Sequence, residues 1–195
     1  KGGTYKTELD IEVLKSRQFT SEFIQKHNIL ADLMAAVKWD RDADKIIYDP
    51  ELYNEQTNTW VREVKAPFKP EPSMQEAYKV FSKMIVVNKA KDTGMVTLSV
   101  EHLSPTVAQQ WVTWLIKDIN KVMKERDVAE AHRSTEFLNK QIALTNVADI
   151  KTVLYKLIEE QAKTIMFAEV RDEYVFKTID PALAPEEKAK PKRAL

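Results

Sequence analysis

Asp40, Asp42 and Asp44 alternate with Arg41 and Ala43, and Glu51 stands twelfth counting from Asp40. Calcium loops space their carboxylates in this way and place a bidentate ligand at the twelfth position. The sixth position must be glycine for the sharp turn, but here it is Lys45, which adds a positive charge. Pro50 stiffens the end, so a solvated acidic loop is the better reading and calcium its rival. The three histidines, His27, His102 and His132, lie far apart, and none has another histidine three or four residues away. They read as surface or packing residues rather than as ligands or proton carriers. Cleaving a glycan takes two carboxylates facing each other across a cleft, and the spacing of the acids picks out no such pair. The chain has no cysteine and only three glycines, Gly2, Gly3 and Gly94. That removes thiolate chemistry, and neither a Walker loop nor a dinucleotide fingerprint can be written. No catalytic residue, metal ligand or cofactor is assigned, and the chain does not read as an enzyme. Trp111 and Trp114 could stack on sugar rings. On the apolar half of a helix such residues are more often core or interface anchors; Trp111 is read as core, and Trp114 stays open between the two.

Charge excludes a further class. The chain carries 30 Lys and Arg against 30 Asp and Glu, whereas a nucleic-acid binder shows a basic excess. With 44% hydrophobic residues among 195, a packed core is feasible in one large domain or a domain with an extended appendage. Without an initiator Met, the chain is expected to be a fragment or a processed piece of a longer protein, and membrane anchors, if it has them, lie beyond its ends.

The elements follow from local signals. Leu9, Ile11, Val13 and Leu14 sit among charges in a first third of short elements and loops. Thr20 is expected to cap a short helix through Lys26, and Asn28 one over 29–37. Residues 38–54 read as irregular. Ser73 to Glu76 forms a capping box ahead of the apolar stripe Ala77, Val80, Phe81 and Met84. Residues 85–89 and 95–101 read as a hairpin turning at Gly94. Ser104-Pro105 places a capping residue before a proline at the first helical position. No Pro or Gly then interrupts the chain until Pro181, so a helix to about Gln141 is expected. Its second half, from Lys124 to Glu136, is mostly charged and suits no deep core. Asn146 is a plausible cap for a second long helix, whose stripe Ile150, Leu154, Leu157, Ile158, Gln161, Ile165 and Ala168 is close to coiled-coil spacing. The two helices are expected to form an antiparallel hairpin, and residues 174–179 a closing strand. The fold class is therefore α+β: an α/β base over 1–103 and 169–180, a helical hairpin arm over 104–168, and a proline-rich basic segment over 181–195. That last segment reads either as the approach to a transmembrane helix or as an extended tail.

Several segments carry a family likeness in order along the chain: Leu14-Lys15-Ser16-Arg17 with Phe19 and Phe23; Val37-Lys38-Trp39-Asp40 and Tyr48-Asp49; Ser99-Val100-Glu101-His102 before Ser104-Pro105, with Trp111, Trp114, Leu115 and Ile119; Leu157 to Gln161; Arg171 to Phe176; and Ile179-Asp180-Pro181 with Pro185 and Pro191-Lys192-Arg193. The chain resembles the Wzz family of polysaccharide chain-length determinants, also called polysaccharide co-polymerases. The resemblance implies a periplasmic domain held in the bacterial inner membrane by two flanking helices, with the proline block Pro181, Pro185, Pro191, Lys192 and Arg193 entering the second. It implies a ring-shaped homo-oligomer working beside a Wzy-type polymerase, and a role in setting the length of lipopolysaccharide O-antigen or a related glycan. The segment after the long helix is shorter than in the best-known members, so a modest arm is expected. Trp114, Lys124, Glu125, Arg126, Glu130 and Arg133 are the candidate arm and oligomer contacts; the charged stretch reads as a solvated face, a ring lumen or a set of inter-protomer salt bridges. Two rival readings are the periplasmic domain of an exopolysaccharide or capsule export co-polymerase, and a glycan-processing enzyme.

Overall fold

The computed structural model describes residues 2–186. The fold is α+β, and helix outweighs strand at 54% against 13%, so helices carry the core. The chain forms two compact units. Of the described residues, one holds those up to Leu115 and those from Asp180 on, and the other holds Ile116–Ile179.

The first unit contains α1 (Gly2–Leu14), α2 (Arg17–Lys26), α3 (Leu30–Met34), β1 (Ala36–Asp40), β2 (Lys45–Tyr48), β3 (Tyr53–Asn54), β4 (Thr59–Trp60), α4 (Met74–Met84), β5 (Ile85–Lys89) and β6 (Val96–Val100). It also takes the first turns of α5 (Pro105–Leu144). The strands pair as three separate antiparallel hairpins: β1 with β2, β3 with β4, β5 with β6. An aromatic chain makes the core. Phe19 lies 6.4 Å from Phe23, Phe23 lies 5.6 Å from Phe81, and Phe81 lies 6.0 Å from Trp111. Helix α4 supplies Ala77 and Phe81 to it, both essentially buried, because apolar residues four apart share one helix face.

Local chemistry sets most boundaries. Ser73 and Glu76 form the expected capping box at α4, and Glu76 is also gripped by Arg62 at 2.9 Å. Burial pushes the Glu76 carboxyl up, but the Ser73 amide and the Arg62 guanidinium outweigh it and hold the carboxyl below its ordinary range. Gly94 turns the β5–β6 hairpin at φ +70°, a conformation that costs glycine little. The Ser104 hydroxyl accepts the Val107 amide at 3.1 Å, and α5 starts at Pro105.

Several expectations are corrected. Helix α2 starts at Arg17 and is capped by Ser16, whose hydroxyl accepts the Phe19 amide. Thr20 is instead buried inside the helix. Asn28 caps nothing: it adopts a left-handed φ of 51° and its amide closes α2 onto Gln25. Helix α3 therefore begins at Leu30 and stops at Met34, since the next residues enter β1. Residues 38–54 are not irregular but hold the β1–β2 hairpin and β3. Residues 174–179 form no strand; they are held by side chains of α5, described below. Helix α6 (Ala148–Val170) has Val147 at its N-cap rather than Asn146, and the Thr145 hydroxyl accepts the Val147 amide. The compact units meet at Leu115 and Ile179. Trp111 and Leu115 are buried and Trp111 joins the aromatic core, so the start of α5 belongs to the first unit. Residues 169–179 belong to the second, because α5 side chains bind that backbone.

Candidate functional site

The second unit is a two-helix hairpin. Residues Ile116 to Leu144 of α5 and the whole of α6 run antiparallel, joined by the three residues from Thr145 to Val147. A connection this short makes consecutive helices antiparallel neighbours. Ile119, Met123, Ala131 and Leu138 of α5 and Ala168 of α6 are buried.

Polar clasps hold the chain that follows α6. The buried Asn120 accepts the amides of Val175 and Phe176 at 2.8 Å each and donates to the Phe176 carbonyl at 3.0 Å. The Lys124 ammonium donates to the Arg171 carbonyl at 3.0 Å. Arg171 is the C-cap of α6, where the helix dipole favours a cation. The Tyr174 hydroxyl donates to Asp127 at 2.6 Å.

The outward faces of the two helices differ in chemistry. Along α5 many of the exposed residues are charged, with Phe137 and Leu144 as large apolar exceptions: Lys121 pairs with Glu125 at 3.9 Å and Glu136 with Lys140 at 3.5 Å. Arg126, Glu130 and Arg133 are exposed as well. Along α6 the exposed residues include Ile150, Val153, Tyr155, Leu157, Met166, Phe167 and Val170. At 100° per residue these fall on more than one side of the helix. Ile150 and Leu157 lie beside the face of Leu154, Gln161 and Ala168, while Val153, Tyr155, Met166, Phe167 and Val170 lie about 80° or more round from it. An open groove of about 540 Å³ runs between the helices, lined by Glu130, Arg133, Ser134, Phe137 and Leu138 from α5 and Leu157 and Gln161 from α6. One end is polar and the other apolar.

No family model matches this chain, and no curated protein matches it. Among the described residues no helix is long and apolar enough to cross a membrane, and no three His, Cys, Asp or Glu converge as a metal site would need.

The structure scatters the residues singled out from the sequence. Trp114 lies in the first unit, half-buried, its ring stacked on His27 at 4.3 Å and 7°. Lys124 is engaged with the end of α6 and Glu125 with Lys121, which leaves Arg126, Glu130 and Arg133 as outward charges of the helical unit. Pro181 and Pro185 are exposed, and the Gln109 amide donates to the Ala182 carbonyl between them at 2.7 Å. Pro191, Lys192 and Arg193 lie outside the described residues.

The acidic loop is a hairpin turn. Asp40 accepts the amides of Asp42 and Ala43, while one oxygen of Asp44 accepts both the Trp39 indole N–H and the Thr106 hydroxyl. His102 has a fixed tautomer: Nδ1 accepts the Ser104 amide at 3.0 Å, so Nε2 carries the proton and donates to the Asp32 carbonyl at 2.8 Å. The Asp32 carboxylate in turn accepts the Tyr48 hydroxyl. Burial first, then that hydrogen bond and the carboxylate's charge, push the Tyr48 hydroxyl well above its ordinary value. These groups position one another within the first unit.

The residues that the sequence left unnoticed are Tyr155, Met166, Phe167 and Val170. The signal was present: α6 carries more large apolar side chains than one buried face can hold.

Proposed function

We propose that this chain is a self-associating, non-catalytic scaffold of the Wzz type, which sets the length of lipopolysaccharide O-antigen or a related surface glycan beside a Wzy-type polymerase. The observation that carries the reading is the hairpin of α5 and α6, with charge along one helix and exposed apolar groups on several sides of the other. Left in water, those apolar groups forgo about 25 cal/mol for each Å² that a partner would cover. A second copy of the chain supplies such cover at no cost in specificity. The ordered run of resembling segments, from Leu14 to Pro185, agrees with this reading, which puts the domain on the periplasmic face of the inner membrane. Length control then comes from the geometry of an assembly rather than from bond chemistry.

The test is a gel of surface glycan from cells lacking their own chain-length regulator and supplied with the full-length gene. A clustered band pattern is expected. A random ladder despite stable expression would overturn the reading and favour the export branch of the co-polymerases.

A further inference from the structure

Two surfaces of the helical hairpin match each other residue by residue. Phe137 stands seven residues before the end of α5 and Tyr155 seven after the start of α6. Arg133 and Glu159 each stand eleven residues from the loop, Glu130 fourteen and Lys163 fifteen. At about 1.5 Å per residue, the three pairs lie about 10, 16 and 21 Å from the loop end of the hairpin. Each level therefore offers an aromatic ring to an aromatic ring, or a charge to its opposite.

The two sets do not meet within one chain. Glu130, Arg133 and Phe137 share one face of α5, at i, i+3 and i+7, and line the groove together with Leu157 and Gln161. Tyr155, Glu159, Ala162 and Met166 share one face of α6, at i, i+4, i+7 and i+11, and Lys163 adjoins it. At 100° per residue, Tyr155 is about 160° round α6 from Leu157. The groove and the Tyr155 stripe therefore open on different sides of the hairpin. Tyr155 is 58% exposed and Phe137 61%, more than either ring would show in a finished interface. Lys163 is held between Glu159 and Glu160 at 3.9 and 3.4 Å, which presents a row of alternating charge beside the stripe.

We infer that the groove of one copy receives the Tyr155 stripe of a second copy standing alongside it in the same direction. Tyr155 of the stripe enters beside Phe137 and Leu138, with Glu159 against Arg133 and Lys163 against Glu130. Charge complementarity fixes the direction: acid meets base at equal height only when the copies point the same way. The contact joins two different surfaces, so it is heterologous, and each copy keeps one free groove and one free stripe for further neighbours. This rests on the scaffold reading above and adds to it which faces meet and in what order.

The chain has no cysteine of its own, so single substitutions report cleanly. A chain with Phe137→Cys is mixed with one carrying Tyr155→Cys under mild oxidation, and the disulfide-linked species are counted. Linking requires Cα atoms within about 7 Å. The mixed dimer is expected to exceed both like-with-like dimers. Adding Glu130→Lys to the first chain alone, or Lys163→Glu to the second alone, is expected to lower its yield roughly two- to fivefold, the scale of an exposed pair turned repulsive. Adding both restores it, because the reversed pair meets across the linked junction; a merely structural role for either residue predicts no such rescue. Dominance of like-with-like dimers, or a mixed dimer no more abundant than with Lys117→Cys in place of Tyr155→Cys, overturns the assignment. If full-length protein still clusters glycan lengths after such a result, the faces are wrong and the scaffold reading stands; if it does not, both fall.

Discussion

Replacing Asn120 by alanine should release the segment after α6 while leaving both helices standing. The side chain makes three hydrogen bonds with the backbone of Val175 and Phe176. Each is worth about 1 kcal/mol net, and more if its partner is left dry. Val175 and Phe176 are only half-buried, so water replaces part of what is lost, and about 2 kcal/mol is expected. At about 1.4 kcal/mol per tenfold, the local opening that exposes these two amides becomes roughly thirtyfold more frequent. Hydrogen exchange reads this residue by residue. The amides of Val175 and Phe176 should lose protection in Asn120→Ala, while those inside α5, such as that of Met123, keep theirs. Asn120→Asp retains an acceptor oxygen for the two amides and loses only the donor to the Phe176 carbonyl, so it should fall between. If both amides exchange at the native rate in the alanine variant with α5 intact, Asn120 does not hold the segment and the reason given for the missing strand is wrong.

Ser73→Ala opens the capping box of α4 and should cost about 1 kcal/mol in urea unfolding. The Glu76 carboxyl is held below its ordinary value, so its contribution to stability is full above the unfolded value near 4.5 and lost as pH falls through the lower folded one; Glu76→Gln should flatten stability in that acid window. Tyr48 is displaced upward, so its contribution is full below the ordinary phenol value of 10.0 and lost as pH rises beyond it; Tyr48→Phe should remove one phenol that ionises above 10.0 from an absorbance titration and cost about 1–2 kcal/mol through the lost bond to Asp32. At Gly94 a Cβ would meet nothing within 4 Å, so Gly94→Ala should cost only the strain of a positive φ, about 1–2 kcal/mol, read from the same unfolding curves.

What the sequence disclosed was local. The Ser73 capping box, the turn at Gly94 and the Ser104-Pro105 start of α5 each rest on a few adjacent residues whose chemistry allows one outcome. Trp111 was legible as core because it shares a face with Val112, Leu115 and Ile119. The misses are contests decided at a distance or between near neighbours. Ser16 and Thr20 both suit a helix cap, and burial of Phe19 and Thr20 in the core favours the earlier start. The β1–β2 hairpin was hidden because Asp40, Asp42 and Asp44 look like a loop, and the turn they make is that loop; the strands beside it are four and five residues long. Residues 174–179 alternate as a strand does, but Asn120, more than fifty residues earlier, takes the amides that a ladder would need. In the candidate site, the charged face of α5 was anticipated from Lys124 to Glu136. The outward apolar groups of α6 were not, because the coiled-coil stripe through Ile150, Leu154 and Leu157 accounted for one face and drew attention from the others.

The three hairpins of the first unit have a consequence for how that unit comes together. Among the described residues each sheet has two strands, so each of these strands is an edge with no strand neighbour on its far side. A lone two-stranded ribbon is at best marginally stable in water. Helix α3 touches both β1 and β2, and α4 touches β5, so these ribbons persist because helices back them. The lasting order of these ribbons therefore depends on α2, α3 and α4 holding Phe23 and Phe81 together. A chain without that helical backing would display unbacked strand edges to its neighbours, which makes the helical core the safeguard against aggregation as well as the seat of stability.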